Sequence, residues 1–292
     1  MPTANINGFQ MYYETEGEGF PVVHIHGGFG GLGTGLLEAE APAWRDRFAK
    51  HFQVITYDRR ASGRSSYPQE GFTMENFARD LRELLRHLGH DRAHVWGTSA
   101  GGHIALAFGL EYPEASVSLV ISDSAPWLSP DEELKDGLRK RIQILKERGS
   151  EAAYKARATE GTVGLNLYAE RPAQSEEEKR SREEMLEWVR AQLRDITREE
   201  RIAKYAGELR NYSAYVDWDA TPRLRGMKPP TLILYGTEDS IFPAEGSRIM
   251  TQLIPNVEHK AFEGAGHGVT VMYPEAIDLV LSFLQRHTPG QT

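Results

Sequence analysis

The chain has 292 residues and a net charge of −8, with 40% hydrophobic residues, 26% charged residues and no cysteine. The length suits one large α/β unit carrying an insertion. The missing thiols exclude disulfides, thiolate zinc sites, iron–sulfur clusters and cysteine catalysis, and the dispersed Lys and Arg form neither a nucleic-acid stripe nor a polybasic membrane patch.

In chain order, Asn7-Gly8 is a two-residue turn signal between short strand-like runs. "FQMYYETEG" then predicts a strand, "FPVVHIHG" (20–27) a buried one ending at glycine, and "FQVITYD" (52–58) a third ending at an aspartate. Phe77, Leu81, Leu84, Leu85 and Leu88 keep helical spacing within 74–88. "RAHVWG" (92–97) and "VSLVIS" (117–122) predict two more strands. Strands alternating with helices indicate a mostly parallel sheet covered on both faces.

From about Pro126 to Arg225 no buried strand is evident. Leu134, Leu138, Ile142 and Leu145 form one helical apolar stripe, and Met185, Val189 and Ile196 another. Tyr168, Trp188, Tyr205, Tyr212, Tyr215 and Trp218 make this stretch rich in aromatics. Alternation resumes with a strand at 231–236, a helix at 244–253, a strand at 257–264 and a closing helix at 274–286. The expected organisation is a core of 1–125 and 226–292, interrupted by a helical cap over 126–225. No basic segment followed by an apolar run opens the chain, and no stretch reaches the ~20 apolar residues of a membrane span. A cytoplasmic protein without a membrane or nucleic-acid partner is expected.

Gly97-Thr98-Ser99-Ala100-Gly101 fits Gly-x-Ser-x-Gly between a strand and a helix. A strand turning abruptly into a helix pins its central residue in a strained, exposed conformation, and residues two before and two after must lack bulk. Alone, the pentapeptide leaves two readings: a nucleophile, or a serine that merely caps a helix. A serine nucleophile needs a base in hydrogen-bond reach, and the base an orienting acid. "FEGAGHGV" offers His267 just after the last strand, and "LILYGTEDSIFP" offers Asp239 just after strand 231–236.

In that order, Ser, Asp, His, the sequence resembles the α/β-hydrolase family. "HIHGGFG" resembles the family's His-Gly oxyanion loop, and "YDRRASGRSS" its Asp-x-Arg-Gly-x-Gly-x-Ser segment, with Ala61 where Gly is usual. Asp239 followed by Pro243 matches a further family pattern. The resemblance implies an α/β-hydrolase fold: a mostly parallel sheet flanked by helices, with an inserted α-helical cap. It implies Ser99 as nucleophile, His267 as base and Asp239 as orienting acid. It further implies an oxyanion hole from the backbone N–H groups of Gly28 and Ala100. Phe29, Trp127 and Trp188 are the expected pocket residues.

Asp123 is the alternative acid, because some relatives take theirs from the end of that earlier strand. His24 and His26 are expected to be structural, His103 a packing or helix-surface residue, and no metal or other cofactor is expected. Gly28-Phe29-Gly30-Gly31-Leu32-Gly33 also matches G-x-G-x-x-G, with Asp58 where a ribose-binding acid would stand. That dinucleotide reading, an oxidoreductase, fits poorly with Pro42 in the connecting segment and leaves Ser99, Asp239 and His267 as coincidences.

Serine at the elbow argues against the epoxide-opening and halide-displacing relatives, which use Asp there. The expected activity is hydrolysis of small or medium carboxylic esters, lactones included, because an aromatic-rich helical cap suits an uncharged substrate. Three alternatives stand beside it: carbon–carbon bond hydrolysis, a proline iminopeptidase-like activity, and a ligand-binding receptor built on the same fold.

Overall fold

The structure, a computed structural model, describes residues 2–31, 42–159, 161–164, 173 and 176–290. Its first two strands, β1 (Thr3–Ile6) and β2 (Phe9–Glu16), form a hairpin in which Ile6 pairs with Phe9. Asn7 and Gly8 both take positive φ, 47° and 83°, as a two-residue hairpin turn of matching twist requires.

The remaining strands are β3 (Phe20–Ile25), β4 (Phe52–Tyr57), β5 (Ala93–Thr98), β6 (Ser116–Ser122), β7 (Thr231–Gly236) and β8 (Val257–Phe262). The sheet order is β1-β2-β4-β3-β5-β6-β7-β8, parallel from β4 through β8. Every residue of β6 and β7 is buried, as expected of central strands covered on both faces. The outer β8 is largely exposed.

One face carries helix α2 (Met74–His87) and helix α3 (Ala100–Glu111), while α1 (Pro42–Phe48) lies against the other. Helix α2 is capped by Thr73, whose side chain accepts from the Asn76 N–H at 3.2 Å, and it buries Met74, Phe77, Leu81, Leu84 and Leu85. Its buried Asp80 binds Arg60 through two bonds of 2.7 and 2.8 Å and takes a third from Asn7. That network ties the turn of the opening hairpin to α2 and to the segment after β4.

Between β6 and β7 the longer elements among the described residues are helices. Helix α4 (Glu132–Lys155) is capped by Asp131 and broken at Gly149, where φ is 82°. Helices α5 (Glu176–Gln192) and α6 (Arg198–Tyr215) follow, the latter opened by a reciprocal Thr197–Glu200 capping box. Leu138, Ile142 and Leu145 of the expected stripe are buried. The side chains of Met185, Trp188 and Val189, like Tyr168 and Gly33, lie outside the described residues.

The chain closes with α7 (Ala244–Leu253), the one-turn α8 (Val269–Met272) and α9 (Pro274–His287). Strand 231–236 and helix 244–253 fall where the sequence places them. Helices α1 and α8 were not expected, being short and opened by Pro42 or preceded by a glycine turn.

Candidate active site

Ser99 stands between the end of β5 and the start of α3, at φ 55° and ψ −126°. Non-glycine residues rarely adopt positive φ, and this one is held there from both sides. Its N–H donates to the Ser122 carbonyl at 2.8 Å. A Cβ at Gly97 would come 2.8 Å from Gly102 Cα, and one at Gly101 would come 2.8 Å from the His26 carbonyl oxygen. Bulk at either position would push the elbow apart. The Ser99 side chain makes no cap bond to the helix, so the capping reading has no support from the geometry.

Asp239 and His267 reach the same sheet edge on two loops that are themselves joined. The Glu238 N–H donates to the Ala265 carbonyl at 2.9 Å, and the Gly264 N–H to Thr237 Oγ1 at 2.9 Å. Gly236 lies so close beneath the histidine loop that a side chain there would overlap the Ala265 and Gly266 carbonyls. His267 Nε2 is 3.0 Å from Ser99 Oγ, and its Nδ1 is 2.7 Å from Asp239 Oδ2. Asp239 Oδ1 accepts from the N–H groups of Ile241 and Phe242 at 2.8 and 2.9 Å, which fixes the carboxylate. These three side chains, far apart in sequence, form one hydrogen-bonded line.

Asp123 lies beside this line, not in it. It sits at positive φ (52°) after β6, fully buried, and accepts the Val269 N–H through both oxygens at 3.1 Å. Burial pushes its carboxyl up to about 6, partly offset by that N–H and by His267. Asp123, Asp239 and His267 bring ligand atoms within 4.8 Å of one another, a donor set with the chemistry of a divalent-metal site. Both imidazole nitrogens already face Asp239 and Ser99, so binding an ion there would break that line.

The 26–28 loop faces Ser99. Arg59, buried beneath it, donates to the carbonyls of His26, Gly27 (3.0 Å) and Gly28. Holding three carbonyls on one side turns the intervening N–H groups the other way. Sequence reasoning missed Arg59, although it lies within the "YDRRASGRSS" segment. Helix α3 begins at Ala100, so that N–H is one of the helix's unsatisfied donors.

The nearby glycines serve packing. A Cβ on Gly30 would lie 2.6 Å from Asn211 Nδ2, and one on Gly31 2.8 Å from Glu208 Cβ, so both seat the loop on α6. Asp58 is occupied by the Arg64 N–H and Nε at 2.8 and 3.0 Å, which leaves the G-x-G-x-x-G match without an open acid.

A cavity of about 730 Å³ opens beside Ser99 and His267, with Gly28, Phe29, Tyr57 and Trp44 in its wall. Phe29 stacks on Tyr212 at 4.1 Å and meets Tyr215 edge-on at 4.9 Å. Trp127 does not line this cavity. It bridges to Asp219 near the buried His103, which packs against Tyr215, Trp218 and Phe242. Trp127, expected in the pocket, is instead held by its main chain, which bridges to Asp219 and hydrogen-bonds to His103. His103 is a packing residue with no exposed surface, pushed down to about 4 by burial.

No helix among the described residues is long and apolar enough to cross a membrane. The model of a family described as alpha/beta hydrolase fold matches residues 21–270. A protein named putative carbamate hydrolase RutD, from Azorhizobium caulinodans, is 27% identical over 286 residues, spanning 96% of this chain and 97% of that one. The solved enol-lactonase of Burkholderia xenovorans is similar in fold, with a TM-score of 0.69 at 21% identity over 97% of this chain and all of that one. So is a thermophilic esterase from Thermogutta terrifontis, with a TM-score of 0.69 at 24% identity over 98% of each chain.

Proposed function

This chain belongs to the alpha/beta hydrolase fold family, and within it we propose a serine hydrolase that cleaves small to medium carboxylic esters, lactones among them. The observation that carries this reading is the line Ser99 Oγ, His267 Nε2 and Nδ1, Asp239 Oδ2, with links of 3.0 and 2.7 Å.

Ser99 Oγ attacks the ester carbonyl while His267 Nε2 takes its proton. Asp239 holds the imidazole in the Nδ1–H tautomer and stabilises the imidazolium that forms. The negative charge on the carbonyl oxygen falls to the N–H groups of Ala100 and Gly28, the latter aimed by Arg59. As the tetrahedral adduct collapses, His267 returns the proton to the leaving alkoxide. Water then repeats the sequence on the acyl-serine, releasing the acid. Residues 126–225 act as a cap over a core of 1–125 and 226–292, with Phe29 in the pocket wall. The same attack on a carbamate carbonyl, which bears nitrogen in place of the acyl carbon, passes through a carbamoyl-serine, and the name of the Azorhizobium relative puts carbamates on the substrate panel.

Labelling with a fluorophosphonate tests the nucleophile directly: modification is expected at Ser99 and nowhere else. Ser99→Ala is expected to lower kcat on short nitrophenyl esters by about 10⁴-fold with the fold intact. A variant that keeps a tenth of the activity, or a label on another residue, overturns the assignment.

A further inference from the structure

The face of the sheet that carries the second core is apolar at Val22, Val54, Val120, Leu232 and Leu234. Toward Ser99 its character changes. His24 pairs in register with Thr56 on β4 and Trp96 on β5, and Thr98 follows two residues along β5 on the same face. His24, Thr56 and Thr98 are half-buried, and all three line the cavity that holds Ser99. The His24 ring packs against Trp44 and Trp96, 4.8 Å from each ring centroid, the two indoles also being 4.8 Å apart.

A chain of hydrogen bonds ends at this histidine. Trp96 Nε1 is 3.1 Å from Ser122 Oγ, Ser122 Oγ is 3.2 Å from Thr98 Oγ1, and Thr98 Oγ1 is 3.2 Å from His24 Nε2. An indole N–H can only donate. Among the described residues the buried Ser122 hydroxyl has no acceptor but Thr98 Oγ1, so the arrangement that leaves no buried hydroxyl proton unpaired has Ser122 accepting from Trp96 and donating to Thr98, and Thr98 donating to His24. Nε2 is then an acceptor, and the proton of the neutral ring stands on Nδ1. Burial pushes His24 down to about 3, so the ring stays neutral through the physiological range. Nδ1 has no hydrogen-bond partner among the described residues.

We propose that His24 is a specificity-determining residue whose Nδ1–H, oriented by the Trp96–Ser122–Thr98 chain, binds a neutral acceptor oxygen on one arm of the substrate, with Trp44 flanking that arm. The substrate class is thus an uncharged ester whose arm bears a hydroxyl, ether or carbonyl oxygen. A site built around a hydrogen bond discriminates strongly against the analogue that lacks it, because its own polar group is left unpaired. The subsite's place in catalysis rests on the serine-hydrolase reading; the tautomer of His24 does not.

Nitrogen-15 spectra of the histidine side chains read that tautomer without any substrate. His24, identified by the signal lost in His24→Gln, is expected as Nδ1–H in the wild type and to shift toward Nε2–H in Ser122→Ala. An Nε2–H tautomer in the wild type overturns the proposal. Binding of 2,3-dihydroxypropyl butyrate and propyl butyrate to Ser99→Ala, followed by tryptophan fluorescence, tests recognition on the alcohol arm; ethyl 3-hydroxybutyrate and ethyl butyrate test the acyl arm. One oxygenated ester is expected to bind about tenfold tighter than its partner. Placing His24→Phe or Ser122→Ala on Ser99→Ala is expected to reduce that ratio severalfold. Equal binding within both pairs, or a ratio untouched by both substitutions, overturns it. A wild-type protein that takes no fluorophosphonate label, with the ratio on Ser99→Ala retained, would instead count against the nucleophile assignment.

Discussion

The strand ends that carry Ser99, Asp239 and His267 differ in kind from the helical segment between β6 and β7. At the strand ends the backbone decides. Gly97, Gly101 and Gly236 sit where a single methyl would strike a neighbouring main chain, so the three side chains are placed by steric exclusion. In the helical segment, side chains decide. Helix α6 meets the segment after β4 through Asn211, which donates to the Arg60 carbonyl at 3.1 Å and, within the helix, to the Gly207 carbonyl at 3.0 Å, and it meets the 28–31 loop through the Phe29–Tyr212 stack. Close by, Glu208 is buried and accepts the Val163 N–H at 2.8 Å, with the Gly164 N–H also directed at its carboxylate. Backbone exclusion leaves a motif in the sequence, whereas side-chain docking leaves only residue types that also occur on any helix surface.

The sharpest way to break this comparison is at the two aspartates, because both sit at strand ends and only one contacts the imidazole. Asp239→Asn is expected to lower kcat by about 10⁴-fold, since the amide stabilises the wrong histidine tautomer. Asp123→Asn keeps an oxygen for the Val269 N–H and is expected to cost less than about tenfold. That smaller loss should appear only above pH 6, where the wild-type Asp123, pushed up to about 6 by burial, carries charge beside His267. Rate profiles of the two variants from pH 5 to 8 separate the roles, and the reverse ranking would move the orienting acid to Asp123.

These residues also show how far the sequence could be read. The strands, the elbow and the Ser, Asp, His order are legible because each rests on local rules: apolar period, glycine spacing and strand-end position. Arg59 was not legible in its role, since an arginine under a loop looks like any other until three carbonyls converge on it. Trp127 was misplaced for the opposite reason. Its residue type suited a pocket, but its place is set by main-chain bonds to Asp219 and His103, partners that no local pattern in the sequence announces. Glu208 drew no attention in a segment rich in glutamate, and only burial sets it apart.

Glu208 provides the intermediate test, now on stability. It is 2% exposed, and burial holds its pKa well above the usual carboxylate range, offset only in part by the Val163 and Gly164 N–H groups, with Tyr67, Tyr205 and Tyr212 close by. The folded protein therefore keeps this proton to a higher pH than the unfolded chain does. Between the two values folding takes up a proton, so stability falls as pH rises, by up to about 1.4 kcal/mol per pH unit for one site. Glu208→Gln removes the titration and keeps an acceptor for Val163. The variant is expected to lose less stability than the wild type between pH 6 and 8 in denaturant titrations. The histidines shifted the other way do not mimic this. His24, His26 and His94, pushed down to about 3, lend stability that is complete above ~6.5 and lost only toward acid, the opposite slope. Parallel curves for variant and wild type would mean that Glu208 is charged in place and that the seam is held otherwise.

The smallest effect lies where the two regions touch, at Ala61. Here an alanine holds a left-handed turn at φ 53°, fully buried, with its carbonyl accepting the Gly31 N–H at 2.7 Å. The turn is the one that glycine favours, so substitution by glycine should relieve about 1–2 kcal/mol of backbone strain. Two terms oppose that gain. Glycine gives the unfolded chain more freedom, worth about 0.4–1 kcal/mol, and removing the buried methyl costs about 0.8 kcal/mol. The methyl is not idle, for a Cβ built on Gly207 of α6 would lie only 3.0 Å from it. The terms nearly cancel, which is why alanine is tolerated at a glycine position. Ala61→Gly is therefore expected to change stability by less than about 1 kcal/mol, a Tm shift of no more than ~2–4 °C for a chain of this size. A clear gain in Tm would show that backbone strain outweighs docking at the seam. A clear loss would show that the methyl's contact with α6 matters more than the turn, and would extend side-chain control from the helical segment into the core.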